Sequence, residues 1–179
     1  MNITIADFRR FFAAVNSGCD PFPWQQRLTE MIYSEGRWPD AITAPTGAGK
    51  SAVVDVHIFL SALSAVGSGP RLPRRLCVVV DRRALVDSQA DRAKRIVAWL
   101  DHSGDPLAQV MKTALLGIRS GSDLSPVVLT NLRGGIASDT RWIDDPGACA
   151  VISATPDMWG SRLLMRGYGT SRGARPREA

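Results

Sequence analysis

The sequence predicts an α/β fold, a parallel sheet with helices on both faces, on three observations. The runs Leu76-Cys77-Val78-Val79-Val80, Val127-Val128-Leu129 and Ala150-Val151-Ile152 are apolar at every position, the mark of strands covered on both sides. Stretches with helical spacing lie between them, which is the order of a parallel sheet with crossover helices. Helix-start signals also recur, with a capping residue and a first-turn proline at Asp105-Pro106 and Thr155-Pro156.

Taken in order, Thr4 to Val15 places Ile5, Phe8, Phe11, Phe12 and Val15 on one helical stripe, with Thr4 as its cap. A turn-rich SGCDPFP precedes a second helix from Trp24 to Ser34, carrying Leu28, Met31 and Ile32, and Gly36 and Pro39 end it. Ala41-Ile42-Thr43-Ala44 reads as a short buried strand, followed by a Val- and Leu-rich helix from Lys50 to Ala65. After the loop Gly67 to Pro73 and the first apolar run, Asp81 is positioned to cap a helix. Its core stripe is Leu85, Val86, Ala93, Ile96, Val97 and Leu100. Leu107, Val110, Met111, Ala114, Leu115 and Ile118 give a further amphipathic helix.

Composition narrows the function classes. At 179 residues, 45% of them hydrophobic and 22% charged, the chain matches one domain with a sizeable core. No apolar run reaches the ~18 residues of a membrane span, and the opening MNITIADFRRFFAAV has no signal-peptide core. Cys19, Cys77 and Cys149 form no CxxC pair, which argues against a disulfide framework or a zinc site and points to a reducing cytoplasm. Lys plus Arg outnumber Asp plus Glu by 22 to 17, and only Lys50, Lys94 and Lys112 are lysines. An arginine-rich, net-positive chain is compatible with a polyanion partner.

The strongest local signal is Ala44-Pro45-Thr46-Gly47-Ala48-Gly49-Lys50-Ser51, between an expected strand and an expected helix. It matches the Walker A phosphate loop, with Ala44 at the first glycine position. Gly47 and Gly49 let backbone N–H groups of Thr46, Gly47, Ala48 and Gly49 turn around a phosphate, and the helix start adds its positive end. Lys50 reaches the β- and γ-phosphates, and the Ser51 hydroxyl is a ligand for Mg²⁺. The expected cofactors are ATP and Mg²⁺.

From here the chain resembles superfamily 2 helicases. Pro23-Trp24-Gln25 lies about twenty residues before the loop, where those helicases keep an adenine-reading glutamine. The resemblance assigns that role to Gln25, with Gln26 as the fallback and a core place as the plain alternative for Trp24. Val80-Asp81-Arg82-Arg83-Ala84-Leu85-Val86-Asp87-Ser88-Gln89 resembles motif Ia, Leu132-Arg133-Gly134-Gly135 the later glycine pair, and Ala150 to Asp157 motif Ib. These imply contacts to single-stranded DNA by Arg82, Arg83, Arg133, Gly134, Gly135 and Thr155. Solvated helix charges and an ordinary turn are their plain alternatives. PFPWQQRL, GRWPD, TGAGKS, VVVDRR, LRGG and GSRLLMRGYG together resemble the CRISPR-associated DEAD/DEAH-box helicase–nuclease of type I systems, of the I-U or I-G kind, from Phe8 to Tyr168. That resemblance implies antiviral defence, a RecA-like P-loop NTPase domain and a guide-RNA surveillance complex as partner.

Other parts of that pattern are missing. No strand ends in Asp-Glu-x-His or Asp-Glu-x-Asp, and neither an arginine finger from a second RecA-like domain nor an HD-type nuclease is encoded. Asp81 belongs to the motif Ia stretch, Asp144-Asp145 sits in an expected loop, and neither His57 nor His102 has metal-ligand spacing. The expectation is residues 1–165 as the N-terminal part of a first RecA-like domain, incomplete and inactive alone as an ATP hydrolase. Residues 166–179 are expected as a basic disordered tail of the kind a truncated or frameshifted frame produces. Two alternatives stay open: a complete small P-loop enzyme such as a kinase, and a non-catalytic DNA-binding module.

Overall fold

Three parallel strands, β1 (Arg75–Val79), β2 (Val128–Leu132) and β3 (Ala150–Ala154), form a sheet in the order β1-β3-β2. The computed structural model describes residues 2–121, 125–132 and 141–164. Arg133, Gly134, Gly135 and the expected tail at 166–179 lie outside the described residues. Arg75 and Val128 both stand opposite Ala150, and Val79 and Leu132 both stand opposite Ala154. All three carboxyl ends therefore finish along one edge. The central strand β3 is buried at every position, which is why its sequence is apolar without alternation.

Helices cover both faces, and the period-2 alternation of the strands decides which side chain meets which layer. Leu76, Val78, Leu129 and Val151 pack with α3 (Val53–Ala65), α4 (Arg83–His102) and α5 (Pro106–Gly117). In the same layer, Phe8, Phe11 and Phe12 of α1 (Phe8–Val15) and Leu28 and Ile32 of α2 (Pro23–Glu35) join the cluster. Rings of Phe8 and Phe11 meet Phe59 of α3 at 5.3 and 5.5 Å between centroids. Cys77, Val128, Leu132, Ala150, Ile152 and Ala154 face the other way, against Trp142 and Ile143 of the short α6 (Arg141–Asp144) and Met158 and Trp159 of α7 (Pro156–Leu163). This second layer is thinner, so β1 at the edge keeps Val79 exposed.

Local chemistry accounts for some boundaries. The Asp7 carboxylate accepts from both the backbone N and the hydroxyl of Thr4, closing the first turn. Asp105 accepts from Leu107 N at 2.8 Å ahead of Pro106, so that cap forms as its sequence predicts. Some expectations fail, among them Leu85, placed on the core stripe of α4 but 46% exposed. Ala41–Ala44 joins no ladder among the described residues: Ala41 and Thr43 are exposed, and Ile42 alone contributes to the main cluster. A strand needs a neighbour, and the three-stranded sheet does not extend to this segment. Nor does Asp81 cap α4. Arg82 takes the N-cap position in an extended conformation with no side-chain cap bond. The helix α6 has no counterpart in the sequence-based reading.

Two ion pairs tie neighbouring elements together. Asp55 of α3 is side-chain buried, and its oxygens take Arg92 of α4 and the Asn16 amide. Arg119, beyond α5, binds Asp145, and Ser120 and Gly121 give their N–H groups to the same carboxylate. None of the described helices is long and apolar enough to cross a membrane.

Candidate phosphate-loop site

Residues Ala44 to Ser51 form an open loop that leads into a single 3-10 turn, Lys50–Ala52, and then α3. Gly47 and Gly49 have φ of +81° and +70°, the left-handed region that glycine enters without cost. Gly49 has a second reason to be glycine. A Cβ there would lie 2.8 Å from Nε2 of Gln25 and 3.3 Å from the Phe22 ring.

The first turn of α2 holds this loop by its carbonyls. The Trp24 indole N–H donates to Ala48 O at 2.8 Å, and the Gln25 amide donates to Gly49 O at 2.9 Å. On the other arm, the Lys50 ammonium donates to Ala44 O and Pro45 O at 2.8 and 2.9 Å. In a trans peptide C=O and the following N–H point in opposite directions. Pinning the carbonyls of Pro45, Ala48 and Gly49 therefore turns the N–H groups of Thr46, Gly49 and Lys50 away from the donors that hold those carbonyls. The N–H groups of Thr46, Gly47 and Gly49 have no hydrogen-bond partner among the described residues, and Thr46 and Gly47 are exposed. That is a set of unspent backbone donors at a helix start.

Gln25 is 1% exposed, and both ends of its amide are used within the chain. Its Oε1 accepts from Phe22 N at 2.8 Å while its Nε2 holds the loop. Gln26, beside it, is exposed and donates to Glu30. Trp24 is half-buried at the rim of the main cluster, so it serves packing and the loop together. The indole contact to Ala48 is a feature that sequence reasoning missed. Its only trace in the sequence is a tryptophan at the start of a helix upstream of a glycine loop.

The loop connects to the carboxyl edge of the sheet through Ser51. Its Oγ accepts from Nε2 of Gln89, in the second turn of α4, at 2.8 Å. Arg82 and Arg83 are exposed where β1 passes into α4. Thr155 follows β3 and donates its N–H to Leu132 O, the last residue of β2. Among the described residues, then, Lys50, Ser51, Arg82, Arg83 and Thr155 belong to one end of the molecule. Ligand sites of open α/β sheets lie at this end.

The remaining titratable groups of interest are structural. His57 is fully buried, and burial lowers its pKa to about 4 against the opposing pull of the Arg74 and Ala150 backbone. Burial likewise pushes the Cys149 thiol, 3.7 Å from His57 Nε2, up to about 12. A thiol held protonated and enclosed is no nucleophile. Burial raises the Asp145 carboxyl, but Arg119 and the amides of Ser120 and Gly121 outweigh it and hold the group below the usual carboxylate range. No cluster of three or more His, Cys, Asp or Glu suited to a metal occurs among the described residues. No protein-family model, curated protein or solved structure matches the chain.

Proposed function

We propose that residues 44–51 bind the phosphates of ATP with Mg²⁺, and that the chain is the nucleotide-binding part of a RecA-like, superfamily 2 DNA helicase of the CRISPR-associated kind. The observation that carries the reading is the loop's backbone: its carbonyls are held by Trp24, Gln25 and Lys50. Its N–H groups are thereby left for an anion. Thr46, Gly47, Gly49 and Lys50 would cradle the polyphosphate, whereas the Ala48 N–H, expected among them, is spent on Pro45 O. Lys50 has three donors and spends two on carbonyls, so one stays available without disturbing the loop. Magnesium fits the oxygen of Ser51, a hard donor suited to that ion, and would supply neutralisation of phosphate charge.

Single-stranded DNA would run along the carboxyl edge past Arg82, Arg83 and Thr155. Two exposed guanidinium groups at a strand end suit phosphate contacts, which position a strand without reading its sequence. The guide-RNA surveillance complex as partner rests on the sequence resemblance alone.

Calorimetry of ADP and ATP on the folded chain tests the central claim. Lys50→Ala is expected to weaken binding at least about tenfold, because charge-assisted bonds to phosphate are lost. Equal affinities for the two proteins would remove the phosphate-loop reading.

A further inference from the structure

Gln89 is 8% exposed, and only half of its amide is accounted for. Nε2 donates to Ser51 Oγ at 2.8 Å, while Oε1 is fully enclosed with no hydrogen-bond partner. Buried amide oxygens are almost always paired, and an orphan calls for an explanation such as a water or an ion. Covalent geometry limits where that explanation can lie. Oε1 sits within about 5 Å of Ser51 Oγ, the length of the hydrogen bond plus the span of one amide group. The unmatched acceptor therefore adjoins the one hydroxyl assigned to the cation.

A serine hydroxyl has one donor and two lone pairs. The bond from Gln89 engages one lone pair and fixes the hydroxyl's rotation, which leaves the second lone pair with a defined direction. Gln89 is itself held, because α4 packs on β2 and β3 and carries Asp87, whose carboxylate accepts from Asn131 Nδ2 of β2 at 3.1 Å. We propose that Gln89 is a positioning residue for the nucleotide's cation: its amide N–H orients the Ser51 hydroxyl for ligation, and its buried Oε1 accepts from a water on that ion. The inference rests on the phosphate-loop reading above and assigns a further residue to it. Partners of this kind orient a ligand side chain, and their loss typically weakens metal affinity by about 10–100-fold.

The test is titration of ADP into the full chain, once with Mg²⁺ and once with EDTA, for wild type, Gln89→Met and Gln89→Glu. Methionine keeps the shape and removes both polar atoms, and glutamate keeps an acceptor but cannot donate. Wild type is expected to bind ADP more tightly with Mg²⁺. Gln89→Met is expected to lose about 10–100-fold of the Mg²⁺-dependent affinity while its affinity in EDTA stays within about twofold. Gln89→Glu, read by the same ratio, guards against a packing defect in the methionine variant. Adding Gln89→Met to Ser51→Ala should cost less than it does in the wild type, since the part that acts through the Ser51 hydroxyl is already lost. A loss of equal size in EDTA, or an unchanged Mg²⁺ dependence in both variants, overturns the role of Gln89 and leaves the phosphate loop standing. Absence of ADP binding by the wild type removes both.

Discussion

The loop at 44–51 and the helix α3 that follows it are neighbours in the chain and opposites in physical character. From Val54 to Leu63 every residue of α3 is buried. Its carboxylate is answered by Arg92 and Asn16, and its histidine is kept neutral by burial. In the loop, Thr46, Gly47 and Lys50 are exposed, and the glycines adopt left-handed conformations. Packing ties α3 on several sides, whereas a few hydrogen bonds to carbonyls hold the loop. The difference teaches that stability resides in the helix, while under the proposed phosphate-binding reading recognition resides in the loop, so substitutions in the two should separate in measurement.

The largest expected effect is on the helix. Asp55→Ala leaves Arg92, itself only 17% exposed on its side chain, without a carboxylate partner and with only Asn16 Oδ1 to accept from it. A loss of about 3 kcal/mol is expected, near the lower end for a broken buried pair, read from the urea midpoint. Lys50→Ala is expected to cost less than about 0.5 kcal/mol by the same assay, as surface substitutions do. Equal losses in the two variants would break the comparison.

His57 sharpens it through pH. The folded pKa of about 4 lies below the ordinary 6.5, so the unfolded chain takes up the proton first. The contribution of neutral His57 is complete above pH 6.5 and is lost as pH falls towards 4, by about 3 kcal/mol in all. His57→Gln is expected to flatten the stability profile in that window. Asp145, with its lowered pKa, acts further down: its contribution is present above the ordinary carboxylate range and disappears in stronger acid. Superimposable profiles for wild type and His57→Gln would contradict the burial of an uncharged imidazole.

Gln25 lies between the two regimes, buried like the helix yet bonded to the loop. Gln25→Ala removes the acceptor of Phe22 N and the donor to Gly49 O, with an expected cost of about 1–3 kcal/mol for groups left unpaired. Because the amide holds the loop, affinities for ATP and GTP should fall in the same proportion. A changed ATP-to-GTP ratio would give the adenine-reading role back to Gln25. The smallest effect is expected at the carboxyl edge. Arg82→Ala with Arg83→Ala should leave folding intact and weaken single-stranded DNA binding, which is expected to be about micromolar near physiological salt, and should flatten its salt dependence. Fluorescence anisotropy across a salt series reads both, and an unchanged slope would take the strand away from these arginines.

Parts of this structure were legible in the residues because their causes are local. Asp105 and Pro106 specify a helix start wherever they stand, and Thr4 marks another, where its backbone N and hydroxyl both donate to Asp7. Apolar runs at 76–80, 127–129 and 150–152 announce strands, and the sheet has them with boundaries shifted by up to three residues and with β1 only partly covered. The glycines of the loop are legible for the same reason, since positive φ selects them at the residue itself.

What tertiary structure decided depends on partners distant in sequence. Ala41–Ala44 has the composition of a strand, but a ladder requires a neighbour at hydrogen-bonding distance, and no described strand adjoins it. Gln89 reads as the closing residue of a helicase-like stretch, and nothing in its spacing shows that it meets Ser51 across 38 positions. The resemblance assigns Gln25 an adenine-reading role, and nothing in its position along the chain shows that its amide is buried against the loop. Composition and period thus determined the layers, the Asp105 cap and the glycine turn of this protein. The direction in which each polar side chain spends its hydrogen bonds was decided only when α2, α4 and the loop came together, because a buried amide bonds to whatever packing brings within reach.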